Sequence, residues 1–121
     1  MATTFTRISL SGSTTDLPLP IAATATPGTL VHTATSGGTN FDELYVWVSN
    51  VTASAATLTL EWGGVTDPGN LLTKAVSIPA NSPPIPIATG QVMRNGLVIR
   101  AFSGTASALN VTGYINRLTV S

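Results

Sequence analysis

The sequence contains no cysteine. That removes disulfides, thiolate metal sites and cysteine nucleophiles from consideration. His32 is the only histidine, and a structural zinc wants three or four Cys, His or carboxylate ligands, so no metal is expected. Charge is equally scarce. Five basic and five acidic residues make 8% of the chain, against about 25% in an ordinary soluble domain. Arg7, Lys74, Arg94, Arg100 and Arg117 are scattered along the sequence, whereas a nucleic-acid footprint needs clustered Lys and Arg to neutralise phosphates. No nucleic-acid partner is expected. No run approaches the roughly 18 apolar residues of a membrane-spanning helix, so no membrane partner is expected either. Residues 1–16 lack the apolar centre of a signal peptide, and alanine at position 2 excludes N-myristoylation. Gly37-Gly38 and Gly63-Gly64 have neither the spacing nor the lysine of a phosphate-binding loop, and no cofactor is implied.

What is present is threonine, alanine and serine: 20, 14 and 11 of 121 residues. An apolar fraction of 43% with zero net charge is unlike a disordered chain, which pairs low hydrophobicity with high net charge. The length suits one domain, burying roughly two thirds of its unfolded surface. The exterior must be covered largely by small hydroxyl side chains and backbone.

Patterning points to strands. Two-residue alternation marks residues 5–10, 29–35, 44–49, 56–62, 74–78, 97–102 and 108–115. In 44–49, Leu44, Val46 and Val48 form one face, and Tyr45 and Trp47 the other. In 56–62, Leu58, Leu60 and Trp62 oppose Thr57, Thr59 and Glu61, which places Trp62 in the core. Leu97, Ile99 and Ala101 are read as inward, with Val98, Arg100 and Phe102 outward. Residues 85–88 contain Pro86, which cannot donate to a central ladder, so they suit a short or edge strand. Asp67-Pro68-Gly69-Asn70 and Met93-Arg94-Asn95-Gly96 are turn signals. About eight short strands separated by turns every 8–12 residues indicate an all-β, antiparallel sandwich of jelly-roll or Ig-like type. The Leu17-Pro18-Leu19-Pro20-Ile21 run divides the chain into an extended N-terminal arm, residues 1–28, and a β-sandwich domain, residues 29–121. The arm is expected to lie on an adjacent chain.

No constellation recommends catalysis. His32 would need a nucleophile or a carboxylate beside it, and an ordinary hydrogen bond within a strand is the simpler expectation. Asp42 and Glu43 are adjacent, so in a strand they point to opposite faces and share no cleft; a solvated strand start is expected for both. Asp67 is a single carboxylate in its loop, too few for calcium, and is read as a turn residue. Asn50-Val51-Thr52 and Asn110-Val111-Thr112 match the glycosylation triplet, as chance allows in a threonine-rich chain. The expectation is a non-enzyme with no catalytic, cofactor-binding or metal residues. Aromatic residues anchor protein interfaces, and the candidate interface residues are Leu17, Leu19 and Ile21 of the arm with Tyr45, Trp47 and Phe102 of a second apolar surface. Sugar stacking on Tyr45, Trp47 or Tyr114 is the alternative.

The run 48–60, Val-Ser-Asn-Val-Thr-Ala-Ser-Ala-Ala-Thr-Leu-Thr-Leu, resembles a pattern of small β-sandwich virion proteins of tailed bacteriophages: a strand, an Asn-Thr-Ser-Ala hairpin, then a threonine-alternating strand. Val76-Ser77-Ile78-Pro79-Ala80-Asn81-Ser82, Asn95-Gly96-Leu97-Val98-Ile99-Arg100-Ala101 and Leu109-Asn110-Val111-Thr112-Gly113-Tyr114-Ile115 extend the similarity over residues 41–116. It implies a capsid decoration or cement protein that stabilises the head by bridging subunits of the major capsid protein. A tail, collar or fibre component is the near alternative. It further implies contacts with other virion proteins, a homotrimer, assembly in the host cytoplasm and a final place on the capsid surface. The proline-rich 82–87 and the arm depart from the pattern.

Overall fold

In a computed structural model, residues 3–120 are described; Met1, Ala2 and Ser121, at the ends of the expected arm and domain, lie outside the described residues. The described residues form nine strands and no helix: β1 (Thr3–Ser9), β2 (Leu19–Pro20), β3 (Thr29–Thr33), β4 (Phe41–Asn50), β5 (Ala56–Trp62), β6 (Leu71–Ile78), β7 (Ile85–Met93), β8 (Val98–Ser103) and β9 (Leu109–Val120). Two antiparallel sheets result. One has the order β1-β9-β4-β7, with β2 also pairing β9; the other has the order β3-β8-β5-β6. The expected antiparallel β-sandwich is therefore the observed architecture.

The pairings are nested. β1 and β2 pair with β9, β3 with β8, β4 with β7, and β5 with β6. A chain folded back on itself as one long ribbon and then wrapped into two sheets yields this order, which is that of a jelly roll. Alternation drives the wrapping. Along β4, Asp42, Leu44, Val46, Val48 and Asn50 are buried while the intervening residues are half-buried. Their partners Ile115 and Val111 on β9 are also buried, as are Leu58 and Leu60 on β5 and Ile99 and Ala101 on β8. Two apolar faces thus close on one interior. Trp62 packs partly buried against this core, but Leu97, expected inward, is exposed. Pro86 sits in β7, an edge strand, the place in a sheet that tolerates proline.

Two local features hold the wrap. Asn95 and Gly96 both have positive φ, 62° and 66°, and the Leu97 N–H closes the turn on the Arg94 carbonyl, the geometry of a primed turn. It links β7 and β8, which lie in different sheets, so it serves as a corner and not as a hairpin. Gly113 faces β4, and a Cβ there would collide with the Tyr45 carbonyl oxygen. Only glycine lets β9 run this close beneath Tyr45.

The N-terminal segment lies on its own chain. β1 pairs with β9 from Thr3↔Val120 to Ser9↔Tyr114, and β2 continues along the same edge at Leu19↔Val111. Leu10 and Ile21 are buried in the core. Described residues of the expected arm thus supply an edge strand and two core side chains to the sandwich. Of the apolar residues in the proline-rich run, Ile21 finds its burial in this chain's own core, Leu19 is half-buried and Leu17 stays exposed.

Candidate functional site

Outward-pointing residues of the β1-β9-β4-β7 sheet form an aromatic strip. Tyr45 and Trp47 alternate with the buried residues of β4, and Tyr114 of β9 stands directly opposite Tyr45. The Tyr45 and Tyr114 rings stack with centroids 5.0 Å apart and an interplanar angle of 19°, and Trp47 lies 5.9 Å from Tyr114. Such pairs add about 0.5–1.5 kcal/mol beyond their buried area. On the β1 side of β9, the Arg7 guanidinium carbon sits 4.4 Å from the centre of the Tyr114 ring, a cation–π contact. Tyr114 therefore has Tyr45 on one side and Arg7 on the other. All four side chains except that of Arg7, which is exposed, are half-buried. Phe5 and Val92, on strands of the same sheet, are exposed.

The other expected interface residues are dispersed. Leu17 is exposed, 66% of its surface accessible, in the loop between β1 and β2, and Leu19 is half-buried in β2. Ile21 is fully buried and cannot face a partner, which corrects the expectation for it. Phe102 does not join Tyr45 and Trp47. It projects from β8, in the opposite sheet, into a cavity of about 230 Å³ shared with Thr59, Glu61, Val65, Leu71 and Ala75. One expected aromatic surface is thus two, on opposite sides of the sandwich.

His32, a strand histidine held by ordinary hydrogen bonds as expected, forms a buried polar centre with Asp42, a pairing that nothing in the sequence recommends. Asp42, expected in solvent, is fully buried. Its position was legible, since it shares the parity of Leu44, Val46 and Val48 and so points inward. Arg117 stands opposite Asp42 in the β4–β9 register and donates to both carboxylate oxygens, Nε to Oδ1 at 2.8 Å and Nη2 to Oδ2 at 3.0 Å. The Thr35 N–H donates to Oδ2 at 3.1 Å. His32 Nε2 lies 2.8 Å from Oδ2, while the Ser11 N–H donates to Nδ1 at 3.0 Å. That assigns the proton to Nε2, which donates to Asp42, and leaves Nδ1 as acceptor. Both ring nitrogens are occupied, and the second partner is a backbone amide, not a hydroxyl.

Electrostatics follow the geometry. Burial pushes His32 below its ordinary pKa, outweighing the raising effect of Asp42; the Arg117 charge adds to the lowering. Burial alone would push Asp42 up, but the hydrogen bonds from Arg117 and His32, the Arg117 charge and the Thr35 amide together hold it below the usual carboxylate value. Arg117 is raised chiefly by its bond to Asp42. The cluster ties β4 and β9 of one sheet to β3 of the other. It is a neutral histidine and an ion pair acting as a bolt through the sandwich.

The fold and its surface define a jelly-roll β-sandwich with an aromatic strip on one sheet and an apolar cavity on the other. No protein-family model, curated protein or solved structure matches the chain.

Proposed function

We propose that the chain is a structural protein of a bacteriophage particle, a capsid decoration or cement protein that docks the aromatic strip of its five-stranded sheet on neighbouring shell subunits. The observation that carries this reading is the half-buried strip of Tyr45, Trp47 and Tyr114 on a molecule with ten charged residues in 121. Aromatic side chains offer large contact area at low conformational cost and lead the residues that dominate protein interfaces. Burial gains roughly 25 cal/mol per Å² of apolar surface, and a stable contact needs on the order of 1,000 Å² in total, so Phe5, Leu17 and Val92 would have to share the interface. The resemblance over residues 41–116 supplies the virion setting, and jelly rolls recur in viral capsid domains, a fold-level analogy only. Copies placed between major capsid subunits would resist internal pressure together.

The test is co-sedimentation with empty shells that lack the protein. Saturable binding at hundreds of copies per shell is expected, weakened at least tenfold in the Tyr45→Ala/Trp47→Ala double variant and unchanged in Val51→Ala, an exposed residue outside the strip. Absence of saturable binding, or equal binding by the double variant, would sink the reading; a few dozen copies would indicate a collar or tail position.

A sugar platform is the second reading, favoured by the same rings. Tyr114 offers it little, because Arg7 and Tyr45 flank its faces. Trp47 is left as the principal ring, and a glycan array comparing the native chain with Trp47→Ala decides the matter.

A further inference from the structure

On the sheet opposite the aromatic strip, Glu61 is fully buried although it points away from the sandwich core. The segment before β3 covers it: the Gly28 N–H donates to Oε1 at 2.7 Å, and the Thr26 hydroxyl donates to Oε2. Each oxygen therefore accepts one hydrogen bond, and an ionised carboxylate has about four acceptor sites. Among the described residues, no cation forms an ion pair with Glu61. Its cross-strand neighbour Arg100 donates instead to the Gly28 carbonyl, at 3.3 Å. A buried carboxylate without a cationic partner is costly.

Glu61 lines the cavity of about 230 Å³ whose other walls include Val65, Leu71, Ala75 and Phe102. The remaining charges there, Asp67 and Lys74, neutralise each other at 2.8 Å. The cavity is smaller than the roughly 300–1,000 Å³ typical of pockets for drug-sized ligands, and is of the size to admit one long side chain. Its chemistry specifies which. Apolar walls suit a methylene stem, an aromatic ring suits a planar cation, and one acceptor site left on each carboxylate oxygen suits a two-pronged donor.

We propose that this cavity is a socket for an arginine side chain presented by a partner protein. It is independent of the aromatic strip, so a second neighbour could be held from the other side of the sandwich.

The probe is N-acetyl-arginine-N-methylamide, titrated into isotope-labelled protein and followed by amide NMR shifts. Saturable shifts are expected at Thr59, Ala75 and Phe102. Binding should weaken at least tenfold for the neutral citrulline analogue, for Glu61→Gln, and for Val65→Trp, which fills the mouth of the cavity from an exposed loop. No saturable shift, equal binding of the citrulline analogue, or unchanged binding by Val65→Trp would overturn the proposal. So would tighter binding of free arginine than of the capped probe, which would mark a small-molecule site. Should Glu61→Gln fail to fold, the citrulline comparison and Val65→Trp decide by themselves.

Discussion

Asp42 accepts hydrogen bonds from Arg117, His32 and the Thr35 amide, and its removal leaves a buried histidine and a partly buried guanidinium without their shared anion. Loss of one partner from a buried pair costs about 3–5 kcal/mol, and because Arg117 retains some exposure, Asp42→Ala should fall near the lower end, measured by urea denaturation at pH 7. His32 sets the pH dependence. Its folded pKa lies below its ordinary 6.5, so between the two values the unfolded chain binds the extra proton, and stability falls as the solution is acidified. The His32 contribution is complete above pH 6.5 and is lost progressively below it. Asp42 is likewise depressed from 3.8, and its contribution begins to disappear only below that pH. With no cysteine and no second histidine, His32→Gln should abolish the loss of stability between pH 7 and 5 while retaining the acid limb below pH 4. A pH 7-to-5 loss that persists in His32→Gln would contradict this assignment. Asn50 is a second buried polar anchor. It donates to the Ser54 and Ile78 carbonyls and accepts from both the amide and the hydroxyl of Thr52. Asn50→Ala strands those groups and should cost roughly 1–3 kcal/mol. The same four bonds close this triplet to glycosylation in the folded state.

At the scale of elements, the contact between β9 and β4 depends on Gly113. A methyl group there meets the Tyr45 carbonyl oxygen and the Val46 backbone, atoms that cannot rotate away. Gly113→Ala should destabilise by about 1–3 kcal/mol as overpacking and weaken the near-ultraviolet circular dichroism of the Tyr45–Tyr114 stack; an unchanged spectrum and urea midpoint would refute the role. Strands were legible wherever alternation was strict. Residues 56–62 emerged with the predicted limits, and the inward parity of Leu44, Val46 and Val48 is observed. The same parity carried Asp42 and Asn50 inward, information that the preference for solvated polar residues obscured. Other features were invisible because they arise between distant segments. Nothing local in Glu61 announces that residues 26–28 will cover it, and nothing in Phe102 says that its strand belongs to the sheet opposite Tyr45. The run Leu17-Pro18-Leu19-Pro20-Ile21 reads as an arm because prolines suppress pairing, yet β2 needs only two residues along β9 to set Ile21 in the core.

At the scale of the whole molecule, the distribution of charge decides how the sandwich can bind. Of the ten charged residues, Asp42 and Arg117 are spent inside the bolt, Asp67 and Lys74 pair on the surface at 2.8 Å, and Glu61 is buried. Little remains to build a long-range field. Association by the aromatic strip should therefore be driven by apolar burial, with Arg7, held against Tyr114, and Glu43, which shares the outward parity of Tyr45 and Trp47, as the charges beside it. Screening acts over about 10 Å at 0.1 M salt and 3 Å at 1 M, which weakens steered and phosphate-directed binding steeply but leaves apolar contacts intact or strengthened by excluded salts such as sulfate. Binding to empty shells is thus expected to change less than threefold between 50 and 500 mM sodium chloride, and to gain in ammonium sulfate. A tenfold or greater loss over the chloride range would mean that charges dominate the contact, contrary to the proposed strip. An arginine seated on Glu61 inside the cavity would be shielded from this screening by burial. Salt resistance that depends on Glu61 and not on Tyr45 and Trp47 would then move the main contact from one sheet to the other.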